Sequence, residues 1–303
     1  AHLFDEPEIH LLREAKRRRV QSVGFINSWD KVTARAAMRL LPDKAIVFND
    51  IVKHEMMVHN DMDPKDILVS GLPQYDFYST PDHASRETFG KRIGIDPSSK
   101  LIVYAPMGSA FSGSDWTMID LLSDLNRAGR FGPNVEILVR FQPNDFIEER
   151  ELTRRPRLKY DYPGKRFTNT RGVDWDMNEQ DLAHLKDTLY HMSLLVCYAS
   201  SISVDAAFFE KPVINIDFEI RKALDPTKSP TQFYTMTHYR NALRTGGIRL
   251  VKSEEELTEW VRRYLAHPEI DHAGRERLVR EQCRFIDGRA GERIGTFVLA
   301  CLS

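Results

Sequence analysis

The sequence predicts an α/β protein made of two Rossmann-like lobes with parallel sheets, of which the N-terminal lobe is incomplete. Short apolar runs of strand length alternate with longer amphipathic stretches along the 303 residues, as in βαβ units. The alternation pauses at residues 79–83 and then restarts, which indicates a boundary between two lobes. Some of the apolar runs end in Gly- or Ser-rich turns before the next helix, where α/β proteins usually bind ligands.

The net charge, the cysteines and the lengths of the apolar runs argue against several classes of protein. A net charge of −1 gives no general attraction to nucleic acid, so an acidic ligand needs a local site. Cys197, Cys283 and Cys301 are far apart, which fits a reducing compartment and argues against a disulfide framework or a structural zinc site. No apolar run approaches the ~20 residues of a transmembrane helix, and no signal peptide is visible. We therefore expect a cytoplasmic protein.

Three apolar runs and two amphipathic stretches predict the strands and helices of the first lobe. The predicted strands are residues 20–26, 44–48 and 67–70, and the predicted helices are residues 6–18 and 51–60. The basic run at residues 16–19 is typical of a solvated helix C-terminus, although it could also touch anionic lipid. His54 and His59 are five residues apart, so they point about 140° apart on a helix and cannot share one zinc ion. Three strands leave sheet edges unpaired, so we expect the front of this lobe to be missing or supplied by preceding sequence.

The second lobe reads as a complete doubly wound unit of about six strands. The strands are predicted at residues 101–105, 135–141, 158–160, 194–198, 212–218 and 248–251. The helices are predicted at residues 84–93, 116–128, 179–192 and 200–209, and a further helix follows Ser253. Ser253 and Glu256 have the spacing of a capping box. The predicted domains are residues 1–80, residues 81–287, and a C-terminal helix at residues 288–303 that packs back on the first lobe.

The strongest local feature is the strand 194–198 and the serines that follow it. Ser200, Ser201 and Ser203 stand where a helix begins, and a helix start offers unpaired N–H groups and a partial positive charge. Serine hydroxyls add donors without bulk, so the segment suits a phosphate at the carboxyl end of a parallel strand. The alternative is ordinary serine capping of a helix, which is equally compatible with the segment.

Two further positions at strand ends are candidates for phosphate binding. Gly108 permits close approach of a ligand to the backbone after the strand 101–105, and Ser109 adds a hydroxyl donor. A flexible turn explains the same loop. Arg140 ends the strand 135–141, and its guanidinium can bind two phosphate oxygens at once. The alternative is an arginine paired with a carboxylate on a helix.

Carboxylates and amides at other strand ends are candidates for the rest of a ligand. Asp205 and Asp217 can hold ribose or sugar hydroxyls, although Asp205 equally suits a helix N-terminus. In the first lobe, Asn27 and Ser28 suit the acceptor side of a cleft, and Asp30 suits a general base. A simple Asn-Ser-Asp turn is also consistent with these three residues.

Several segments in order resemble a known family. They read VGFINSWD (23–30), PDK (42–44), VSGLPQYD (69–76), VRFQP (139–143), SSISVDA (200–206), KPVIN (211–215) and DGRA (287–290), the last followed by Glu292 and Arg293. Together they resemble GT-B enzymes of bacterial surface-polysaccharide synthesis, near the CDP-glycerol glycerophosphotransferases and the UDP-N-acetylglucosamine 2-epimerases. The sequence departs from the pattern at Phe141, where histidine is expected, and it lacks the Gly-Gly and paired Glu of the epimerases.

The resemblance implies a metal-independent transferase with no cofactor. It would move a sugar or a glycerol-phosphate-like group from a nucleotide-activated donor to a glycan or lipid-linked acceptor of the cell envelope, such as a capsule. The donor phosphates would lie at Ser200, Ser201 and Ser203. No nucleic acid partner is expected. Contact with the inner face of the membrane is compatible with such a function. Asp174 and Asp176 have DxD spacing but read as surface residues. A 2-epimerase and a non-catalytic nucleotide-binding lobe are the alternatives.

Overall fold

The computed structural model describes residues 6–35, 38–143, 145, 147–167, 175–220 and 225–302. The chain forms two compact units. Unit 1 contains residues 1–81, 235–244 and 277–303, and unit 2 contains residues 82–234 and 245–276. The predicted second lobe included residues 235–244 and 277–287, which the structure assigns to unit 1. A contiguous division of the chain could not foresee this, because the chain leaves unit 2 and returns to it.

The described residues contain eleven strands. In chain order β1 to β11 are Val23–Phe25, Lys44–Val47, Ile67–Val69, Lys100–Ala105, Val135–Arg140, Tyr160–Asp161, Lys165–Arg166, Trp175–Asp176, Leu194–Cys197, Val213–Ile216 and Arg249–Val251. All nine predicted strands are present with small shifts at their ends. The sequence-based prediction missed β7 and β8, which pair as a two-residue antiparallel ladder. Two residues carry too little apolar pattern to be recognised as a strand.

The described residues also contain twelve α-helices. In chain order α1 to α12 are Glu6–Arg17, Asp50–Asn60, Pro73–Tyr78, Arg86–Ile93, Asp115–Arg127, Glu149–Thr153, Glu179–His191, Ile202–Phe208, Thr237–Arg244, Glu254–Ala266, His272–Gln282 and Ala290–Ala300. A π-helical turn at Lys31–Arg35 and 3₁₀ turns at Pro64–Asp66, Pro226–Lys228 and Pro230–Thr235 complete the description. Among the described residues, no helix is long and apolar enough to cross a membrane.

Helix starts follow the capping chemistry of the sequence. Asn49 Oδ1 accepts the N–H of Val52 at the start of α2. Asn178 and Asp181 form a reciprocal capping box at the start of α7. Ser253 Oγ accepts the N–H of Glu256, as predicted. The Glu256 carboxylate accepts the N–H of Lys252 rather than that of Ser253, so the predicted capping box is only half formed.

Unit 2 is built on a six-stranded parallel sheet in the order β11-β10-β9-β4-β5-β6. The chain runs outward from β4 through β5 to β6, and then returns to the other side of β4 with β9, β10 and β11. The strand order therefore reverses between β4 and β9, which is where doubly wound sheets bind ligands. The middle strands are buried on both faces, and their apolar core includes Ile102, Tyr104, Val139, Leu194, Val196 and Ile214.

Unit 1 is built on a three-stranded parallel sheet in the order β1-β2-β3. Helix α12 packs against α3 within this unit. The Asp76 carboxylate of α3 accepts the N–H groups of Ala290 and Gly291 at 2.9 and 2.8 Å, which satisfies the start of α12. Asp76 therefore ties the C-terminal helix to the exit of β3.

Candidate functional site

A cavity of about 420 Å³ lies at the carboxyl ends of β4, β5 and β9 in unit 2. It is therefore at the point where the strand order reverses, as the Ser- and Gly-containing turns predict. Three backbone segments form most of its wall, and Met177 before α7 and Leu185 in the middle of α7 complete it. The lining residues are Ala105, Pro106, Met107, Phe111, Arg140, Phe141, Gln142, Pro143, Met177, Leu185, Ala199, Ser200, Ser201, Ile202 and Asp205.

Arg140 is the principal cation of this cavity. Its side chain is only 5% exposed, and it lies opposite Asp161 in the β5–β6 register. Arg140 Nη1 donates to Asp161 Oδ2 at 3.3 Å, a long contact for a charge-assisted pair. The sequence is equally compatible with an arginine that pairs with a carboxylate on a helix. The carboxylate of Asp161 lies instead on the neighbouring strand β6. Arg140 therefore lines the cavity and has a carboxylate partner.

Ser200 and Ser201 line the cavity, as predicted, where β9 leads into α8. Ser201 occupies the N-cap position but makes no side-chain capping bond. Ordinary serine capping therefore does not explain Ser201. Both residues line the same cavity as Arg140, a position that is compatible with hydroxyl donors for an anion.

Ser203 does not reach the cavity. Its side chain is fully buried, and its hydroxyl lies 3.4 Å from Cys197 Sγ and 3.3 Å from Asn215 Nδ2. The expected phosphate contact of Ser203 is thus replaced by hydrogen bonds inside the β9–α8 turn, because Ser203 is two residues after Ser201, about 200° further round the helix, and faces the sheet. Burial also raises the pKa of the Cys197 thiol to about 12, so this sulfur is a neutral part of the core.

The loop that contains Gly108 and Ser109 is held by carboxylates. Asp115 accepts the N–H of Gly108 at 2.8 Å and that of Met107 at 3.2 Å. Asp145 accepts both the N–H and the hydroxyl of Ser109, at 3.1 and 2.7 Å. The donors predicted to bind phosphate are thus used inside the protein, and neither Gly108 nor Ser109 lines the cavity.

Gly108 is required by the fold. It has φ +93°, and a Cβ there would lie 2.8 Å from Gln142 Oε1. Its conformation therefore brings the loop against Gln142, which lines the cavity. Burial raises the pKa of Asp115 to about 6, although the N–H groups of Gly108 and Met107 oppose that rise.

The two predicted carboxylates of unit 2 are in different places. Asp205 lines the cavity with 8% of its surface exposed. Asp217 follows β10, donates its backbone N–H to Val251 O at 2.7 Å, and is not a lining residue. Partial burial raises the pKa of Asp217, against the opposing effect of Lys252. The expected sugar or ribose contact is therefore compatible with Asp205 and not with Asp217 in this cavity.

The three predicted residues of the first lobe belong to unit 1. Asn27 is exposed, whereas Ser28 and Asp30 are half-buried. Ser28 Oγ donates to Asp30 Oδ1 at 2.5 Å, and Asp30 O accepts the N–H of Ala34 at the start of the π-helical turn. These contacts fit the turn interpretation of the motif, and the acceptor-side and general-base roles remain predictions.

Phe141 has no acid–base chemistry at the position where the resemblance predicts histidine. Its ring is buried and packs against Trp116 and Tyr160, with centroids 5.5 and 6.0 Å away. The apolar neighbours explain why phenylalanine is stable here. Among the described lining residues, the carboxylate of Asp205 is therefore the one candidate for proton transfer.

Sequence reasoning missed the residues that support the cavity from behind. Asp115 could have been noticed as an acidic residue in the first turn after a Gly/Ser loop, a common position for a helix start. Asp161 and His184 gave no local signal, because their proximity to Arg140 depends on strand register and helix packing.

Of the Asp174 and Asp176 pair, Asp174 lies outside the described residues. No cluster that could hold a metal ion occurs among the residues that the structure describes.

The arrangement suits an anion that is flanked by apolar groups. Arg140 supplies a fixed charge in a largely desolvated position, where its attraction for an anion is stronger than in water. Ser200 and Ser201 line the same cavity, and Met107, Phe111 and Met177 provide apolar contact area. A phosphate joined to a flat, partly apolar group fits these features.

Comparison with known proteins supports the resemblance found in the sequence. A family model described as CDP-glycerol:poly(glycerophosphate) glycerophosphotransferase matches residues 31–300. No curated protein matches the sequence significantly. The predicted relationship to this family is therefore confirmed by the family model.

Three solved structures illustrate the fold that this chain shares with known proteins. S. aureus MnaA, solved with UDP, has a TM-score of 0.60 at 12% identity, covering 95% of this chain and 69% of its own. UDP-GlcNAc 2-epimerase from Neisseria meningitidis, bound to UDP-GlcNAc, has a TM-score of 0.60 at 15% identity, covering 94% and 71%. The wall teichoic acid polymerase TagF has a TM-score of 0.54 at 16% identity, covering 85% and 57%. These similarities confirm the predicted GT-B-like fold.

Proposed function

Because the chain belongs to the CDP-glycerol:poly(glycerophosphate) glycerophosphotransferase family, we propose that the unit 2 cavity binds the phosphates of its nucleotide-activated donor. Membership of the family confirms the predicted class, a transferase that uses such a donor. The observation that carries the proposal is Arg140, a nearly buried guanidinium that lines a cavity at the reversal point of the sheet. A charge in such a position suits a ligand of opposite sign.

In this proposal the cavity residues have distinct roles. Arg140 and the hydroxyls of Ser200 and Ser201 would stabilise the negative charge that develops on the leaving phosphate. In transfer of a glycerol phosphate, the bond between the two donor phosphates breaks, and a nucleoside monophosphate leaves. In transfer of a sugar, the sugar–oxygen bond breaks and a nucleoside diphosphate leaves. The identity of the released nucleotide therefore separates these two donor chemistries.

The acceptor and the cellular compartment complete the proposed function. The acceptor would be a hydroxyl of a growing cell-envelope glycan or polyol phosphate, lipid-linked or in a capsule, and Asp30 of unit 1 is the candidate general base. We propose that the reaction needs no metal ion, since Arg140 already provides positive charge. No disulfide joins Cys197, Cys283 and Cys301, all of which the structure describes, and this fits a cytoplasmic setting at the inner face of the membrane.

A nucleotide-sugar 2-epimerase is the second candidate, supported by the shared fold. Such an enzyme needs acid and base groups at the sugar ring, and it forms product without an acceptor. Phe141, together with Asp205 as the one carboxylate among the described lining residues, makes the cavity less suited to that reaction than to phosphate binding. A non-catalytic nucleotide-binding protein would bind the donor and release nothing.

The direct test is ligand-induced thermal stabilisation by CDP, UDP, GDP, CDP-glycerol and UDP-sugars. A ligand that binds the folded state raises the melting temperature. We expect at least one nucleoside diphosphate to stabilise the wild type. Arg140→Ala should raise the dissociation constant of that ligand by roughly 10- to 100-fold, because a charge-assisted pair is lost. Ser201→Ala should raise it by a few-fold.

Two controls make the result specific. Arg127→Ala removes an exposed arginine of α5 that pairs with Asp124, and it should leave the ligand response unchanged. Arg140→Lys keeps the charge but not the fork geometry, so it should restore binding only in part. If no nucleotide stabilises the wild type, or if Arg140→Ala responds like the wild type, the donor-site proposal is wrong. Chromatography of the released nucleotide then identifies the bond that breaks.

A further inference from the structure

A series of polar contacts leads from Arg140 away from the cavity. Asp161 Oδ2 accepts from Arg140 Nη1 at 3.3 Å and contacts His184 Nε2 at 2.8 Å. The other ring nitrogen, His184 Nδ1, lies 3.0 Å from Arg92 Nη1. Arg92 Nη1 also donates to Asp187 Oδ2 at 2.9 Å. None of Asp161, His184 and Arg92 lines the cavity, so the polar contacts of these residues reach it through Arg140.

The tautomer of His184 follows from the chemistry of its two partners. A guanidinium has N–H donors and no acceptor, so Nδ1 must accept from Arg92. Nε2 must then carry the hydrogen of the neutral ring, and it donates to Asp161. The imidazole is thus a neutral, directed donor that is held between a cation and an anion.

One carboxylate oxygen is shared by the imidazole and the guanidinium. The bond from His184 has a normal length, whereas the bond from Arg140 is long for a charged pair. The side chains of Asp161 and His184 are 14% and 19% exposed, so water competes weakly for that oxygen. The lengths show that His184, rather than Arg140, has the better position on Asp161.

We propose that His184 is a positioning residue for Arg140: by holding Asp161, it keeps the guanidinium from closing onto that carboxylate and directed at an anion in the cavity. The inference rests on the proposed function, since it assigns His184 to the same donor site. The guanidinium has five N–H groups in a planar fork, and rotation towards Asp161 would take two of them out of reach of a phosphate.

The experiment measures the dissociation constants of CDP, UDP and GDP for the full chain by titration calorimetry. His184→Phe removes the donor to Asp161, and we expect the dissociation constant of the bound nucleotide to rise about five- to tenfold. His184→Gln offers an oxygen towards Arg92 and an N–H group towards Asp161. It should stay within about twofold of the wild type. A purely structural role would not distinguish glutamine from phenylalanine in this way.

The Asp161→Asn background isolates the coupling. Without its charge, the side chain at position 161 attracts the Arg140 guanidinium much less strongly, so His184→Phe should change the dissociation constant by less than about twofold there. His191→Phe is the matched control. His191 lies on the same helix, and its Nε2 contacts Ala84 O at 2.6 Å rather than any residue next to Arg140. It should leave nucleotide affinity unchanged even if it lowers the melting temperature.

The possible outcomes separate the two proposals. If the wild type binds nucleotide and Arg140→Ala weakens it but His184→Phe does not, the donor site stands and the positioning role is wrong. Equal effects of His184→Phe and His191→Phe, or of His184→Phe with and without the Asp161 charge, also overturn the positioning role. If no nucleotide binds the wild type, the donor site itself fails and the positioning role falls with it.

Discussion

Burial raises the pKa values of two carboxyl groups, Asp115 and Glu55. The two groups differ in the hydrogen bonds that the protein gives them, and therefore in their effect on stability. Asp115 accepts two backbone N–H groups, which partly offset the loss of water. Glu55, on α2 of unit 1, is 6% exposed, and its Oε2 has no hydrogen-bond partner among the described residues. Burial raises its pKa to about 7. Asp115 therefore stabilises a loop, whereas Glu55 is a source of instability above neutral pH.

Glu55→Gln is expected to stabilise the protein at pH 8. The folded-state pKa of about 7 lies above the unfolded value of 4.5, so the folded state keeps a proton that the unfolded state loses. Stability that is present below pH 4.5 is thus lost as the pH rises to about 7. Allowing for partial solvation, the variant should gain roughly 1–2 kcal/mol at pH 8 and almost nothing at pH 4.5. Urea unfolding at the two pH values measures this.

Glu14→Gln provides the control for that experiment. It makes the same charge change on an exposed carboxyl of unit 1, where hydrogen bonds from Arg17 and Arg18 lower the pKa of Glu14. Its expected effect at pH 8 is therefore no stabilisation. A Glu55→Gln variant with the same stability as the wild type at pH 8 would show that the Glu55 carboxylate is well solvated or paired.

At the scale of elements, the turn from β9 to α8 is fixed by one amide. Asn215 of β10 is fully buried. Its Nδ2 lies within 3.3 Å of the carbonyls of Cys197 and Tyr198, of Cys197 Sγ and of Ser203 Oγ. The carbonyls at a strand end have no partner within the strand, so a buried donor from the neighbouring strand satisfies them. This contact sets the position of the turn that carries Ser200 and Ser201.

Asn215→Ala should therefore lower both stability and nucleotide affinity. Loss of a buried amide that serves several acceptors is expected to cost about 2–4 kcal/mol, and the loosened turn should weaken nucleotide binding several-fold. Ser203→Ala, which removes one of these acceptors, should cost about 1 kcal/mol with little change in affinity. Chemical unfolding and calorimetric titration measure the two effects. If Asn215→Ala keeps wild-type affinity, the turn is positioned by its own backbone instead.

At the scale of the whole molecule, every residue that lines the candidate site belongs to unit 2. The same unit contributes all the parts of the series from Arg140 to Arg92. Unit 1 has its own sheet and its own core, with Ile26, Ala45, Val47, Val52 and Met56 buried around α2 and β2. Donor binding should therefore be detectable within unit 2, whatever the acceptor requires from unit 1.

Hydrogen exchange with and without nucleotide tests that division. At a ligand concentration of 100 times the dissociation constant, exchange that requires ligand release should slow by up to about 100-fold. We expect the strongest slowing in residues 105–111, 140–143 and 199–205, the segments that contain most of the lining residues. Slowing confined to residues 23–30 of unit 1 would place the donor elsewhere. Arg140→Ala, compared at the same total ligand concentration, should show reduced slowing in all three segments.

The sequence by itself determined the fold class, the strand positions and the candidates at strand ends. Apolar runs of strand length predict strands wherever they are buried on both faces, and strands of a parallel sheet bring their carboxyl ends to one edge. This is why Arg140, Ser200, Ser201 and Asp205, far apart along the chain, were found from pattern alone. Family motifs at those same positions pointed to the transferase class.

Only the tertiary structure decided which of those candidates face the cavity. Ser203 turns inward because of helical rotation, Gly108 and Ser109 are bound by Asp115 and Asp145, and Asp217 lies outside the cavity. The register of β5 on β6 and the packing of α7 bring Asp161 and His184 to Arg140. Such contacts depend on rotation, register and packing between distant segments, and local sequence does not encode any of these separately.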